Sequence, residues 1–221
     1  MTEVNEKIIS VEQMRQADDY TIKNGTPGKE LMLRAAQGVF DSYEGWAGAD
    51  SLILCGSGNN GGDGYALAMI LAEHKYDVRI LRVSDKLSDD GGYYYGKCRE
   101  LDIPMTLMDD MLKTDDMAAE EICRCDVMVD CILGTGFAGE PRGNAAEGIR
   151  MINEVRKSSA APYVISVDIN SGMNGDTGEA TLAVVSDLTV SIGYYKTGQF
   201  AGRSEELIGE LVNVDIGIEL P

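Results

Sequence analysis

Basic residues are scarce in this chain: 19 lysines and arginines stand against 37 aspartates and glutamates, a formal charge of −18. A field of that sign repels nucleic acid and anionic membrane surfaces, which excludes both as partners. Any anionic ligand must be met by local donors. No apolar run approaches the length of a membrane span, and Met1 to Ser10 lacks the apolar centre of a signal peptide. The expected location is the cytoplasm. Histidine and tryptophan each occur once, at His74 and Trp46. His74 falls near the end of a helical stretch, where it reads as a cap or surface residue, and Trp46 reads as packing. The five cysteines, Cys55, Cys98, Cys123, Cys125 and Cys131, are odd in number. They read as reduced structural thiols, and Cys123-Arg-Cys125 has no second pair to complete a metal site.

What remains is ordinary for a globular protein: 44% hydrophobic and 25% charged residues in 221. That length suits one domain spanning residues 1–221 with a single substantial core. There is no internal repeat and no linker composition.

The chain is organised around Ser51 to His74. Ser51–Cys55 is an apolar run long enough for one buried strand. Gly56, Gly58, Gly61, Gly62 and Gly64 follow, and then Leu67, Ile70 and Leu71 recur at helical spacing. A glycine cluster between a strand and a helix is the setting in which backbone amides approach a ligand, and glycine's tolerance of positive φ is expected to matter here. Gly56-x-Gly58-x-x-Gly61 also satisfies the dinucleotide fingerprint, but Asp63 would repel a pyrophosphate at the helix start unless a cation intervened. Asp63 can alternatively cap that helix. Asn59 and Asn60 suit a polar ligand or a metal ion.

Upstream, Ser10-Val-Glu-Gln13 has capping-box spacing and opens a helix expected to end at Gly25. Pro27 precedes a second helix with Leu31, Met32, Ala35, Ala36, Val39 and Phe40 on its inner face, and Trp46 marks its end. Downstream, strands are expected at 78–83, 105–108, 126–133, 163–167 and 188–192, with an edge strand at 211–214. Helices are expected over 88–101, which carries Tyr93, Tyr94 and Tyr95, and from Asn144, with Ile149, Ile152 and Val155 inward. The run of tyrosines cannot all face inward, so part of it is available to an interface. Asp109, Asp110, Asp115, Asp116, Glu120 and Glu121 form a solvated acidic stretch. A strand–helix–strand order makes a parallel sheet with right-handed crossovers. Four strands then end in polar, glycine-rich loops, at Gly56, Gly134, Asp168 and Gly193. In an open parallel sheet these loops share one edge, where ligands bind.

These residues carry a resemblance. Met14-Arg-x-Ala-Asp18, Gly58-Asn-Asn-Gly-Gly-Asp-Gly64, Asp130 with Leu133-Gly-Thr-Gly-Phe137, Val167-Asp-Ile-Asn-Ser-Gly172 and Lys196-Thr-Gly198 together make the chain similar to the NAD(P)H-hydrate epimerases, also called the YjeF N-terminal domain. The resemblance implies a three-layer α/β/α Rossmann-like sandwich with a mainly parallel sheet, commonly a homodimer. It implies interconversion of the R and S forms of hydrated NADH and NADPH (NADHX and NADPHX), with water added at C6 of the nicotinamide ring. An ATP- or ADP-dependent dehydratase would then repair the S form. By the same resemblance, Asn59, Asn60, Gly61, Gly62 and Asp63 bind the hydrate together with Gly134, Thr135, Gly136, Phe137, Ala138, Gly139, Glu140 and Asp168. Asn60, Asp130 and Ser171 match the ligands of a potassium ion.

The chemistry agrees. Loss of hydroxide beside the ring nitrogen leaves a resonance-stabilised iminium, and water can return to its other face. Departure needs an acid and return needs a base. Asp168, at a strand end, is the candidate for both, and Asp63 is the runner-up. Lys196 reads either as a contact to phosphate or carboxamide or as a snorkelling surface lysine. Two other functions are open. The fingerprint and Asp85 suit a nicotinamide-dependent dehydrogenase, and the same pocket would serve a non-catalytic nucleotide-binding scaffold.

Overall fold

A computed structural model of the chain describes residues 7–114, 117 and 123–221. Asp115, Asp116, Glu120 and Glu121 of the acidic stretch, and the first six residues, lie outside these. Asp109 and Asp110 are exposed, as expected.

The capping box forms: Ser10 Oγ accepts from Gln13 N at 3.2 Å and Gln13 Oε1 accepts from Ser10 N at 3.0 Å. It opens α1 (Val11–Lys23), which stops two residues before Gly25 at φ +113°. α2 (Gly28–Asp41) buries Leu31, Met32, Ala35, Ala36 and Val39. It ends five residues before Trp46, which is buried and donates from Nε1 to Phe40 O at 2.9 Å. The tryptophan therefore packs back on the helix end rather than marking it.

Beyond a two-residue β1 (Ile8–Ile9), the strands are β2 (Asp50–Cys55), β3 (Asp77–Arg82), β4 (Met105–Leu107), β5 (Val127–Cys131), β6 (Tyr163–Val167), β7 (Leu188–Ile192), β8 (Tyr195–Lys196) and β9 (Glu210–Val214). Seven of them form one sheet in the order β4-β3-β2-β5-β6-β7-β9, and every pair is parallel. β9 is the edge strand expected from the sequence. β1 and β8, too short to show as apolar runs, pair separately.

Alternation along the strands divides the core into two layers. Ile53, Cys55, Val127, Val129, Ile165 and Val167 pack under α2, α3 (Asn59–Glu73) and α4 (Asp89–Glu100). Leu52, Leu54, Met128 and Val164 face the other way, against α5 (Met108–Met111) and α6 (Gly143–Val155). The result is the three-layer α/β/α sandwich. The chain runs outward from β2 to β3 and β4, then returns across β2 to begin β5. That reversal puts the switch point between the carboxyl ends of β2 and β5.

Elsewhere the apolar and polar choices fit their places. Tyr94 is buried and Tyr93 is 46% exposed, so the tyrosine run is split as its spacing requires. His74 is the C-cap of α3, with Nδ1 2.8 Å from Ile70 O. All five cysteines are free, and no helix among the described residues is long and apolar enough to cross a membrane.

Candidate active site

The glycine turn lies at the switch point, but its glycines work differently from expectation. None of Gly56, Gly58, Gly61, Gly62 and Gly64 has positive φ. A Cβ on Gly56 would stand 1.9 Å from Ile132 O, one on Gly61 would stand 2.1 Å from Gly56 O, and one on Gly64 would stand 2.8 Å from Cys55 Sγ. Absent side chains let α3 dock against the ends of β2 and β5, which brings its first turn to the sheet edge. Gly58 is the N-cap and no side chain caps the helix. Asp63 is its fifth residue, beyond the reach of the free amides, so the capping alternative falls.

Beneath this turn lies a buried polar network. Asp130, fully buried, accepts from Ile132 N at 3.2 Å, Ser166 Oγ at 3.0 Å, Ser171 N at 2.9 Å and Ser171 Oγ at 2.5 Å. Burial pushes its carboxyl above the ordinary range, and the hydrogen bonds from Ser171, Ile132 and Ser166 oppose that shift. Ser171 Oγ also accepts from Leu133 N at 2.8 Å. Asn60, 7% exposed, donates from Nδ2 to Leu133 O at 3.0 Å, while its Oδ1 is buried without a partner. A buried acceptor left alone costs about 1–3 kcal/mol unless a hydrogen-bond donor or a cation satisfies it. The oxygens gathered here (Asn60 Oδ1, Leu133 O, Ser171 Oγ and the Asp130 carboxylate) suit a hard cation. Cys55 and Cys131 nearby do not add soft ligands, because burial pushes both thiols well up and keeps them protonated.

Asp168 follows β6 and holds φ +68°, a conformation rare outside glycine. Its backbone is tied on both sides: N donates to Val190 O at 2.8 Å, and O accepts from Gln199 Nε2 at 2.9 Å. Its Oδ1 is ion-paired with Lys196 Nζ. Lys196 is no surface lysine. It is 0% exposed, and Nζ also donates to Ile192 O at 2.8 Å and Ser191 Oγ at 3.3 Å. Oδ2 of Asp168 is left facing Thr135 N at 3.4 Å.

These groups open on a cavity of about 550 Å³. Asn59, Asn60, Asp63, Gly134, Thr135, Gly136, Phe137 and Asp168 line it, as the sequence reading proposed. Gly61 and Gly62 lie behind the wall, Gly62 against Met32 and Gly91. Ala138, Gly139 and Glu140 are exposed, outside the cavity lining, and Asp130 and Ser171 lie below it. The opposite wall was not foreseen as such: α1 contributes Met14, Arg15 and Asp18, α4 contributes Asp90, and the C-terminal segment contributes Ile216 and Ile218. Met14 to Asp18 belongs to the resemblance, which implies no role for it. α1 is held there by Asp176, whose Oδ1 accepts from Val11 N at 2.8 Å, and by Glu219 N, which donates to Thr21 Oγ1 at 2.9 Å.

The cavity is acidic. Burial pushes the Asp63 carboxyl well above the ordinary range; Asp168 and Asp18 push the same way and Lys196 opposes them. Asp18 is raised for the same reason, burial first, then Asp19, Asp168 and Asp90. The cavity therefore carries carboxyls that hold their protons more tightly than usual, together with backbone amides at the start of α3.

Residues 28–198 match the model of the YjeF-related protein N-terminus family. An NAD(P)H-hydrate epimerase of Lentilactobacillus buchneri is 33% identical over 217 residues, covering 95% of this chain and 94% of its own. One from Limosilactobacillus fermentum is 32% identical over 218 residues, covering 96% and 98%. A bifunctional NAD(P)H-hydrate repair enzyme of Coxiella burnetii is 28% identical over 211 residues, which are 93% of this chain and 40% of that one. Among solved structures, a yeast protein shares the fold with a TM-score of 0.76 at 19% identity, over 94% of this chain and 87% of its own.

Proposed function

The chain belongs to the YjeF-related protein N-terminus family, and on that premise we infer that it is an isomerase, an NAD(P)H-hydrate epimerase of nicotinamide cofactor repair. The observation that carries the chemistry is Asp168, ion-paired on one oxygen and open to the cavity on the other. The hydrate loses its hydroxyl from the carbon next to the ring nitrogen and regains water on the other face. A carboxyl group there protonates the leaving oxygen or deprotonates the arriving one, help typically worth ~10²–10⁴-fold. The acidic walls favour the cationic intermediate over the neutral hydrate. Within Asn59 to Asp63 and Gly134 to Glu140, the residues that line the cavity, Asn59, Asn60, Asp63 and Gly134 to Phe137, form the proposed binding set, with the first amides of α3 as donors to the diphosphate.

A potassium ion fits the same reading. Asn60, Asp130 and Ser171 would hold it, and the support is the unpartnered Asn60 Oδ1 amid oxygen acceptors. When bound it would supply positive charge beneath the cavity, at Asp130, where a diphosphate approaches Asp63 and Asp168. The bifunctional relative supports coupling to an NAD(P)H-hydrate dehydratase. A cytoplasmic location rests on five unpaired thiols, and a homodimer rests on the family resemblance.

The test is a chiral chromatographic assay of the pure R hydrate with and without the protein. Accelerated appearance of the S form is expected. Unchanged kinetics would overturn the assignment, and hydride transfer from an added alcohol to NAD would replace it with the dehydrogenase reading.

A further inference from the structure

Within the epimerase reading, on which this inference rests, we propose that Asp63 is a second catalytic acid–base group, serving the face of the ring that Asp168 cannot reach. Inversion requires the departing and arriving oxygens to lie on opposite sides of a planar cation. One carboxyl group can serve both only if it moves between them. Asp168 cannot move: its left-handed backbone is bonded at N and O, and Oδ1 is paired with a lysine that is itself 0% exposed and bonded to Ile192 O and Ser191 Oγ. Only Oδ2 faces the cavity, from one direction.

Asp63 comes from another element, α3 rather than the loop after β6. It lines the same cavity from α3, does not cap that helix, and has no hydrogen bond or ion pair from the described residues. Two other carboxyls line the cavity: Asp90, whose Oδ2 sits against Gly28, and Asp18, which comes from α1 rather than from the glycine turn at the switch point. The charge that Asp63 feels most strongly is that of Asp168. The groups around it are Asp18 from α1, Asp168 and Lys196 from the sheet edge, Cys55 and Cys131 behind it, and Tyr94 and Asp90 from α4. Burial and two carboxylates hold its proton on, whereas Asp168 has a lysine partner. Two acids in unlike surroundings divide the roles of donor and acceptor.

The step balances. The Asp63 proton goes to the hydroxyl of the hydrate; the C–O bond breaks, its electron pair leaves with the oxygen as water, and the nitrogen lone pair forms the iminium bond. A second water adds from the other side, the iminium electrons return to nitrogen, and the proton of that water passes to Asp168. Asp63 ends ionised and Asp168 protonated, which is the state that converts the opposite epimer; exchange with cavity water restores the first state.

The assay above, run on native protein, Asp63→Asn, Asp63→Glu and Asp168→Asn, tests this. Native protein that fails to epimerise would sink the epimerase reading itself. Given active native protein, Asp63→Asn and Asp168→Asn should each lose ~10²–10⁴-fold in kcat, with Asp63→Glu recovering part of the rate. Native kcat/KM should fall as pH rises through the elevated pKa of Asp63, because the ionised form has no proton to give. A folded Asp63→Asn with near-native kcat would overturn the proposal. Should that variant not fold, the native profile decides: a rate that stays level from weakly acidic to alkaline pH would overturn it equally.

Discussion

Replacing Lys196 with methionine separates the two things this lysine does, neutralising Asp168 and filling space. The ammonium is fully buried and its partner carboxyl is 15% exposed. Methionine keeps most of the unbranched volume, so packing changes little. What is lost is the counter-charge, and a buried pair broken on one side costs ~3–5 kcal/mol. Because Asp168 retains some solvent, the lower end of that range, ~3 kcal/mol, is the working figure. For a chain of 221 residues, each kcal/mol lowers the melting temperature by ~2–4 °C, so Lys196→Met should melt about 6–12 °C below native. The decisive comparison is the double variant Lys196→Met with Asp168→Asn. Removing the stranded charge should return ~1–3 kcal/mol, making the double variant more stable than the lysine single variant. Urea unfolding of the four proteins, followed by circular dichroism, gives the coupling directly. If the double variant is no more stable than Lys196→Met, the loss is one of packing and the ion pair is not what holds Asp168.

Much of this architecture was legible because buried parallel strands are short apolar runs, and Ser51–Cys55 and Tyr163–Val167 stand out as such. The loops at their ends could be assigned to one edge by topology alone. The glycines of the turn were visible but misread: a sequence marks where a Cβ is absent, not whether φ or a neighbouring carbonyl demands it. Gly61, 2.1 Å from Gly56 O at its would-be Cβ, belongs to the second case. Lys196 was half legible, since its burial depends on Asp168, 28 residues away, and lysines are seldom buried without such a partner. The far wall was hidden for a related reason. Nothing local in Met14 to Asp18 or Ile216 to Ile218 says which sheet edge they will cover; that follows from contacts as distant as Thr21 with Glu219.

Asp168→Asn strands the buried Lys196 ammonium and so should melt below native while still folding, and should remove ~10²–10⁴-fold of the epimerisation rate, since an amide cannot shuttle the proton; an epimer-exchange assay at near-native rate would refute its role. Gly61→Ala should act on stability: its Cβ would meet Gly56 O at 2.1 Å, and overpacking of this kind costs ~1–3 kcal/mol. A thermal melt within a degree or two of native would show that α3 can shift to admit a methyl. Exchange of potassium for a larger organic cation should lower activity, while a chelator of divalent ions with potassium present should not. The reasoning is in the donors: Asn60 Oδ1 is buried and unpartnered, and its neighbours are a carbonyl, a hydroxyl and a carboxylate already accepting four hydrogen bonds. Such a set offers oxygen but little net charge, which suits an alkali ion, whereas magnesium holds its waters and takes substrate phosphate directly. Loss of activity to the chelator alone would move the assignment to magnesium.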